Sequence, residues 1–280
     1  MDINIKVVGL GESGAKMINK MIAAGVGKNK SVEFIAIGND ENIMLTSTAR
    51  KNLFLNRDMT IIYKNIFDAL SGAKLIIIVA GLAGNAARIS IPIITSFART
   101  YGAGTVAFVC KPSILENTSR KINADYALNN LRGNVDTLFV VPAEKFFVFC
   151  ANRPQISLPE LFDIADDIFC SGVKNFLEMN DFKFGEAAFG YGEATTALDA
   201  IKLAASFPTL EEDEFKTARK IFIGLKSGQP LPLSSIDAAK NFIKAQLQPD
   251  AEFLSREEIN PLLGEKVFAT IICKRKEEKI

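Results

Sequence analysis

The stretch Lys74–Arg99, KLIIIVAGLAGNAARISIPIITSFAR, organises the chain. It begins with a continuous apolar run from Leu75 to Ala80, a pattern typical of a central parallel strand that is buried on both faces. The glycine-containing turn Gly81–Gly84 comes next, and apolar residues at helical spacing follow it. A strand, a glycine turn and a helix in this order hold phosphates in many α/β proteins, because free backbone N–H groups and the helix dipole meet there. Arg88 is unexpected here, since a phosphate turn is usually bare of large side chains.

The composition of the 280 residues excludes several classes of protein. Hydrophobic residues make up 48%, too many for a disordered chain, and a net charge of +1 gives no reason to expect nucleic acid as a partner. Histidine is absent, which excludes Ser-His-Asp and Cys-His catalysis and every histidine-containing metal site. The four cysteines form no C-x-x-C pair, and no secretion signal is evident, so we expect isolated thiols in a cytoplasmic protein. The apolar runs are too short for direct membrane insertion.

A second glycine turn lies near the N-terminus. The strand pattern Ile3–Val8 is followed by Gly9, Gly11 and Gly14 in the spacing G-x-G-x-x-G, and a helical pattern comes after them. This spacing is the dinucleotide-binding fingerprint, although many α/β turns carry such glycines for packing. Asp40 follows the next strand pattern, VEFIAI, where an acid would hold the ribose in a dehydrogenase. A loop-capping role fits Asp40 equally well.

The remaining pattern predicts an α/β protein with two domains and a long helix between them. We expect a Rossmann-like nucleotide-binding domain with a parallel sheet over residues 1–155, a central connecting helix over 156–179 and a smaller α/β sandwich over 180–280. Short strands are predicted in the last region at 186–191, 219–225, 251–254 and 266–273.

Three local patterns carry further predictions. Ser157-Leu158-Pro159-Glu160 is a capping box with proline in the first turn, which marks the start of the central helix. Glu116 and Arg120 lie four residues apart at the start of another helix and share a face, either as a solvated ion pair or as contacts for a ribose and a base edge. Residues 46–64 are polar and predict loops around a short strand.

Taken in order, these segments resemble the tubulin/FtsZ superfamily, and the chain is similar to a divergent, shortened FtsZ. IKVVGLGESG resembles the glycine-rich start of that family, and VEFIAIGND resembles its VEF-A-NTD segment. IIIVAGLAGNAARISIPII falls without gaps on the family signature AGMGGGTGTGAAPVV. The segment ending in VDTLFVVP, the helix start ISLPELFDIADDIF and the segment ATTALDAIKLAASFPTLEE match in the same order. No motif is intact, so the resemblance depends on the common order of the segments along essentially the whole chain.

The resemblance implies a GTP site whose phosphate side is altered. In the family, the first glycine loop and the signature turn hold the phosphates, and the glycines kept here are Gly9, Gly11, Gly14 and Gly84. Glu12 is a carboxylate where the family brings phosphate oxygens, so it should repel them unless it holds Mg²⁺. The residues after Gly84 carry side chains that narrow the approach of phosphate. Arg88 among them would either bind a phosphate directly or fill the emptied site.

The resemblance implies a better preserved nucleoside side. Glu116 and Arg120 match the family's Glu and Arg after the Lys-Pro turn. Phe162 matches its base-stacking Phe, and Asp167 matches the Asp that reads guanine. These positions favour a purine nucleoside as the ligand, whereas the altered turns weaken phosphate binding.

The hydrolytic loop that the resemblance implies is reduced. In the family, carboxylates after the central helix reach the γ-phosphate of the next subunit and polarise the attacking water. Here Asp181 is the single acid of the stretch Met179–Gly185, and Lys183 adds a positive charge beside it. We therefore expect weak or absent GTP hydrolysis.

Three functions fit these observations. The first is an FtsZ-like cytoskeletal protein that binds GTP or GDP, with Mg²⁺, and assembles head to tail with itself or with another FtsZ-like subunit. The second is a pseudo-GTPase scaffold of the same fold with an empty site, as the substitutions at Glu12 and after Gly84 suggest. The third is an NAD(P)-binding Rossmann oxidoreductase, which rests on the first glycine turn and Asp40 and lacks a histidine as catalytic acid.

Overall fold

The computed structural model describes residues 4–28, 31–150, 157–177, 185–207, 210 and 217–274. Asp181 and most of the predicted hydrolytic loop lie outside these residues. The chain divides into two compact units, Met1–Lys183 and Phe184–Ile280. The predicted α/β class with a parallel sheet is confirmed.

The first unit alternates strands and helices around a parallel sheet. Its strands are β1 (Ile5–Leu10), β2 (Val32–Gly38), β3 (Lys51–Phe54), β4 (Leu75–Gly81), β5 (Gly104–Lys111) and β6 (Thr137–Pro142). Its helices are α1 (Gly11–Ala23), α2 (Glu41–Thr46), α3 (Met59–Leu70), α4 (Asn85–Tyr101), α5 (Thr118–Leu131), α6 (Ala143–Cys150) and α7 (Leu158–Leu177). The strands lie in the order β3-β2-β1-β4-β5-β6, and each neighbouring pair is parallel. From β1 the sheet grows toward β2 and β3 on one side and toward β4, β5 and β6 on the other, so β1 and β4 form the point at which the strand order reverses. Ligands of open α/β sheets bind at the carboxyl ends of such a strand pair.

Strand β4 lies at the centre of this sheet, as its continuous apolar run predicts. Every residue from Leu75 to Ala80 is buried, and Ile78 pairs in register with Val8 of β1 and with Ala107 of β5. Helices cover both faces of the sheet, so the side chains of β4 are buried on whichever face they lie. The central position of β4 places the turn that follows it at the middle of the carboxyl edge.

Capping residues set the starts of helices α3 and α5, and both starts differ from the sequence prediction. The prediction of loops over 46–64 is wrong from α3 onward, since Asp58 accepts a hydrogen bond from the backbone N of Thr60 at 2.9 Å and starts the helix there. Asn117 caps α5, so Glu116 precedes the helix instead of lying in its first turn. The short strand expected within 46–64 is β3.

Helix α7 begins with the predicted capping box. The backbone N of Ser157 donates to Oε2 of Glu160 at 2.7 Å, and the backbone N of Glu160 donates to Oγ of Ser157 at 3.5 Å. The helix buries one face, including Ile168, Phe169 and Val173, in the first unit. In the first half of the helix the opposite face is exposed, as at Phe162, Asp163 and Asp167.

The second unit is a mixed four-stranded sheet covered by helices. Its elements are β7 (Gly185–Ala194), α8 (Ala197–Ala205), β8 (Lys220–Ser227), α9 (Leu233–Lys244), β9 (Glu252–Ile259), a 3₁₀ turn (Pro261–Leu263) and β10 (Val267–Lys274). The strands lie in the order β7-β10-β8-β9, with β10 antiparallel to β7 and β8, and β8 parallel to β9. Each strand overlaps one of the four strand predictions for this region. The core of the unit is apolar, as in Ile201, Ile223 and Ile271.

Candidate functional site

A cleft of two compartments opens at the carboxyl ends of β1 and β4, within the first unit. The polar compartment, of about 290 Å³, is lined by the turns after β1, β2 and β4. The aromatic compartment, of about 300 Å³, is lined by helix α1, the turn after β4, the segment after β5 and helices α6 and α7. The two compartments share the residues Glu12, Ser13, Gly81, Ala83 and Arg120. This is the position where the strand order predicts a ligand.

The glycines of the first turn have different roles. A Cβ on Gly9 would lie 2.4 Å from the carbonyl oxygen of Gly14, and a Cβ on Gly14 would lie 2.6 Å from the carbonyl carbon of Gly9. These two glycines therefore let α1 pack directly on β1. Gly11 adopts a φ of +70°, which disfavours any side chain. Gly84, in the second turn, has open space beside it and lines the polar compartment.

Two helices present uncapped N-termini to the polar compartment. The N-cap residues of α1 and α4 are Leu10 and Gly84, and neither has a side chain that accepts from the first turn. By contrast, Asp40 caps α2 by accepting from the backbone N of Ile43 at 3.2 Å. The first N–H groups of α1 and α4 are thus left for a ligand, and the helix dipoles favour an anionic one.

Asp40 lines the polar compartment as well as capping α2. The loop-capping interpretation of this residue is therefore visible in the structure, and its carboxylate also contributes negative charge to the compartment. Its proposed role toward a ribose stays a prediction.

Glu12 faces both compartments from the first turn of α1. Its Oε1 accepts a hydrogen bond from Nζ of Lys16 at 2.8 Å, one helical turn further along. This bond raises the pKa of Lys16, so the ammonium stays charged. The carboxylate stands where an approaching phosphate would meet the helix N-terminus.

Arg120 also borders both compartments and forms an ion pair with Glu116. The two residues predicted to share a face are therefore in contact, and both line the aromatic compartment. The guanidinium is the single positively charged group in the lining of the polar compartment.

Arg88 lies outside the linings of both compartments. The residue is exposed on α4, whereas Ala86 and Ala87 before it are buried and line the polar compartment. Neither of the two roles predicted for Arg88, phosphate ligand or plug, matches this placement. The side chains after Gly84 that do line the polar compartment are those of the two alanines.

The aromatic compartment combines phenyl rings with a buried carboxyl group. Phe162 is 61% exposed although it is a phenylalanine, and it faces the compartment together with Phe147. Asp166 is 7% exposed and lines the same compartment, and none of the described residues donates a hydrogen bond to its carboxyl group. Burial raises the pKa of Asp166 to about 7, although Lys20 and Lys16 act in the opposite direction. A buried acceptor without a donor is a strong attraction for a ligand N–H group.

Asp167, the residue that the resemblance matched to a guanine-reading acid, points elsewhere. Its Oδ1 accepts from Nζ of Lys20 at 2.9 Å, and the same ammonium donates to the carbonyl oxygen of Asp163 at 2.7 Å. Asp167 does not line the aromatic compartment, whereas Asp166 does. Helical spacing alone would have indicated this, since Asp166 lies four residues after Phe162 and so shares its face.

The described residues hold no group of three acids or cysteines that would form a metal site. None of the described helices is both long and apolar enough to cross a membrane.

Comparisons with known proteins bear on the chain as a whole and on its fold. No protein-family model matches the chain. The cell division protein FtsZ of Magnetospirillum gryphiswaldense is 26% identical over 305 aligned positions, which cover 96% of this chain and 53% of that protein. The chain thus spans about half the length of this curated relative.

Solved structures share the fold. An empty FtsZ dimer from M. jannaschii has a TM-score of 0.83 at 23% identity and covers 100% of this chain and 94% of its own. CetZ2 from Haloferax volcanii, in a protofilament with GTPγS bound, has a TM-score of 0.77 at 14% identity and covers 99% and 94%. The chain is thus similar in sequence, along nearly its whole length, to a curated FtsZ, and it has the fold of the tubulin/FtsZ superfamily.

Proposed function

We propose that this chain is an FtsZ-like cytoskeletal protein that binds a guanine nucleotide in the cleft and assembles into filaments, with weak or absent GTP hydrolysis. The observation that carries the proposal is the pairing of two uncapped helix N-termini in the polar compartment with a buried, unpartnered carboxyl group in the aromatic one. The first feature suits a phosphate and the second suits a base with N–H donors. A single nucleotide provides both.

The aromatic compartment is proposed to hold the base. Exposed phenyl rings such as Phe162 provide a stacking surface, and base stacking on an aromatic ring contributes about 1–3 kcal/mol. Guanine has a ring N–H beside an exocyclic amino group, so one ionised carboxylate can accept from both. Asp166 has the burial and the free acceptors for this role. Glu116 and Arg120 lie at the same cavity, where sugar hydroxyl groups would lie next to the base.

GTP and GDP are the proposed nucleotides, with Mg²⁺ bound through phosphate oxygens together with at most a few oxygens of the chain. Hydrolysis is proposed to be weak because Ala86, Ala87 and Glu12 crowd or repel the phosphate end. The hydrolytic role of Asp181 stays a prediction.

Self-assembly is proposed from the relatives. One matching structure is a dimer of FtsZ and another is a protofilament of CetZ2. The proposed partner is a second copy of this chain, or another FtsZ-like subunit, in head-to-tail contact, and the proposed process is cell division.

A pseudo-GTPase scaffold with an empty site is the second candidate, because Ala83, Asn85 and Ala87 stand where the superfamily signature has glycines, and Ala83 and Ala87 line the polar compartment. Acid extraction of purified protein, followed by chromatographic identification of released nucleotides, separates the two. If the first proposal is right, the purified protein releases a stoichiometric amount of guanine nucleotide, either directly or after incubation with added nucleotide. If the protein is a scaffold with an empty site, it releases none.

Assembly is tested separately by sedimentation and negative-stain microscopy, with GTP, with GDP and without nucleotide. Filaments that form equally with GDP and GTP agree with weak hydrolysis. No assembly under any of the three conditions would refute the filament part of the proposal, while leaving nucleotide binding to its own measurement.

A further inference from the structure

Each charged side chain in the described lining of the polar compartment has a partner. The guanidinium of Arg120 is paired with Glu116, and Asp40 accepts a backbone N–H group at the start of α2. The remaining charge is that of Glu12, whose Oε1 lies 2.8 Å from Nζ of Lys16. Since the carboxylates of the lining are compensated in this way, the N-termini of α1 and α4 provide the attraction for an anion.

We infer that Lys16 keeps the cleft able to bind nucleoside diphosphates and triphosphates, by neutralising Glu12 beside the phosphate groups. The inference rests on the proposed nucleotide site and adds to it a residue that lies outside the glycine motif. Lys16 acts through Glu12 and not by contact with the nucleotide, so it is a positioning residue.

Helix geometry pairs Lys16 with Glu12. The two residues lie four apart on α1 with the glutamate first, which is the favourable order for such a pair. Lys20, one turn further along, binds Asp163 and Asp167 of α7 at 3.5 and 2.9 Å. Among the described residues, Glu12 is the one carboxylate within ion-pair distance of Lys16. The ammonium of Lys16 therefore balances this carboxylate, whereas Lys20 balances those of α7.

The position of the pair explains why it matters for phosphate. Glu12 faces both compartments from the first turn of α1, whereas Lys16 lines the aromatic compartment alone. Without Lys16, the carboxylate would repel phosphate groups at the N-terminus of α1, and the repulsion would grow with the number of phosphate groups. A nucleoside without phosphate would not be affected. Both side chains are more than half exposed, so screening by water limits the effect to a few-fold change in affinity.

The test is isothermal titration of the full chain with guanosine, GDP and GTP at about pH 8, where Asp166 is ionised, once with a chelator and once with excess Mg²⁺. The measured quantity is the ratio of the GTP affinity to the guanosine affinity. Lys16→Met should lower this ratio about fivefold, and Lys16→Arg should keep it within about twofold of the wild type. Glu12→Gln combined with Lys16→Met should restore the wild-type ratio within about twofold, because neither charge then remains. The loss in Lys16→Met should disappear in about 1 M salt.

Lys20→Met is the matched control. Burial raises the pKa of Asp166, and Lys20 and Lys16 both oppose this shift from α1, so removing either lysine weakens binding of the base in all three ligands alike. Lys20 lines neither compartment and pairs with acids of α7, so its removal should leave the ratio of GTP to guanosine affinity unchanged. The ratio therefore separates the compensation of Glu12 from any effect on Asp166.

Four outcomes decide against the inference. An unchanged ratio in Lys16→Met would overturn it and leave the proposed nucleotide site intact. A double variant that binds GTP as weakly as Lys16→Met would overturn it as well, because Lys16 would then bind a phosphate itself. A loss of Mg²⁺-dependent GTP binding in Glu12→Gln would make Glu12 a cation ligand and have the same consequence. If the wild type bound none of the three ligands, the proposed nucleotide site and the inference would both be refuted.

Discussion

Replacing Asp166 by asparagine should stabilise the ligand-free protein at neutral and alkaline pH. The carboxyl group is 7% exposed and has no hydrogen-bond donor among the described residues, so its ionised form is poorly solvated. Burial raises the pKa of Asp166 from 3.8 to about 7. The charges of Lys20 and Lys16 on α1 lower this pKa, whereas the carboxylates of Asp163 and Asp167 on the same helix raise it further. Asparagine has the same shape and no charge to desolvate.

The sign and size of the effect follow from linkage. Because the folded state holds the proton more tightly than the unfolded state, the wild type loses stability as pH rises from about 4 to about 7 and stays constant above that. The difference of about three pH units, at about 1.4 kcal/mol each, sets an upper limit of about 4 kcal/mol. The variant should therefore exceed the wild type by about 2–4 kcal/mol at pH 8 and match it near pH 4.

Urea unfolding followed by circular dichroism measures this difference across the pH range. Asp167→Asn is the matched control on the same helix, since that carboxylate is exposed and paired with Lys20. Losing a surface pair costs at most about 1 kcal/mol, so the control should show a small loss at pH 8 and no gain. A variant Asp166→Asn that is no more stable than the wild type at pH 8, or whose gain persists at pH 4, would refute the reasoning.

The same substitution should weaken the binding of guanine nucleotides, because the proposed acceptor of two N–H groups becomes an amide with one acceptor oxygen. We expect a loss of about tenfold or more at pH 8, measured by titration calorimetry with GMP. In the wild type, affinity should fall as pH drops below about 7, since protonation of Asp166 removes the same acceptor. The phosphate of GMP itself titrates near pH 6, so the pH series uses guanosine instead. Asp166→Asn should bind guanosine with an affinity that is independent of pH between about 6 and 8, and retained pH dependence would place the titrating group elsewhere.

Three further substitutions test the packing and the site. Gly14→Ala should lower the free energy of unfolding by about 2–3 kcal/mol, because its Cβ would lie 2.6 Å from the carbonyl carbon of Gly9. Gly84 has open space beside it, so Gly84→Ala should change the free energy of unfolding by no more than about 0.5 kcal/mol in the same urea unfolding experiment. Ser157→Ala should cost about 1 kcal/mol by removing the capping box, and a threonine there should retain most of it in thermal unfolding. Arg88→Ala should change the affinity for GMP less than about twofold by calorimetry, since Arg88 is exposed outside both compartments; a loss of about tenfold would show that it contacts the ligand.

Local patterns predicted the fold well because local physics decides them. The apolar run of β4 and the capping box at Ser157 each specify one element, and both are found as predicted. The loops predicted over 46–64 were wrong where α3 begins, although Asp58 is an ordinary N-cap residue that the sequence displays. The first turn of that helix is mostly apolar, but Met59 and Ile61 are exposed, so its apolar residues do not mark the buried face of the helix.

The site was harder to predict, because it depends on which way a side chain points. Asp166 and Asp167 are adjacent in sequence and alike in chemistry, yet one lies in the aromatic compartment and the other binds Lys20. A rotation of 100° per residue separates them, and a match along the sequence does not by itself fix that angle. Similarly, Arg88 follows the second turn in sequence but lies on the exposed side of α4.

Two of the glycines that suggested a phosphate site are required by the packing of the fold itself. Gly9 and Gly14 are required because β1 and α1 touch, and a side chain at either position would collide with backbone atoms whether or not a ligand binds. A protein of this fold that had lost its nucleotide would keep both. Gly84 is different, since nothing packs against it and only a ligand in the polar compartment would need the space. The packing glycines therefore report the fold, whereas Gly84 and Asp166, which have no structural partner to satisfy, are the residues at which nucleotide binding by this chain has to be tested.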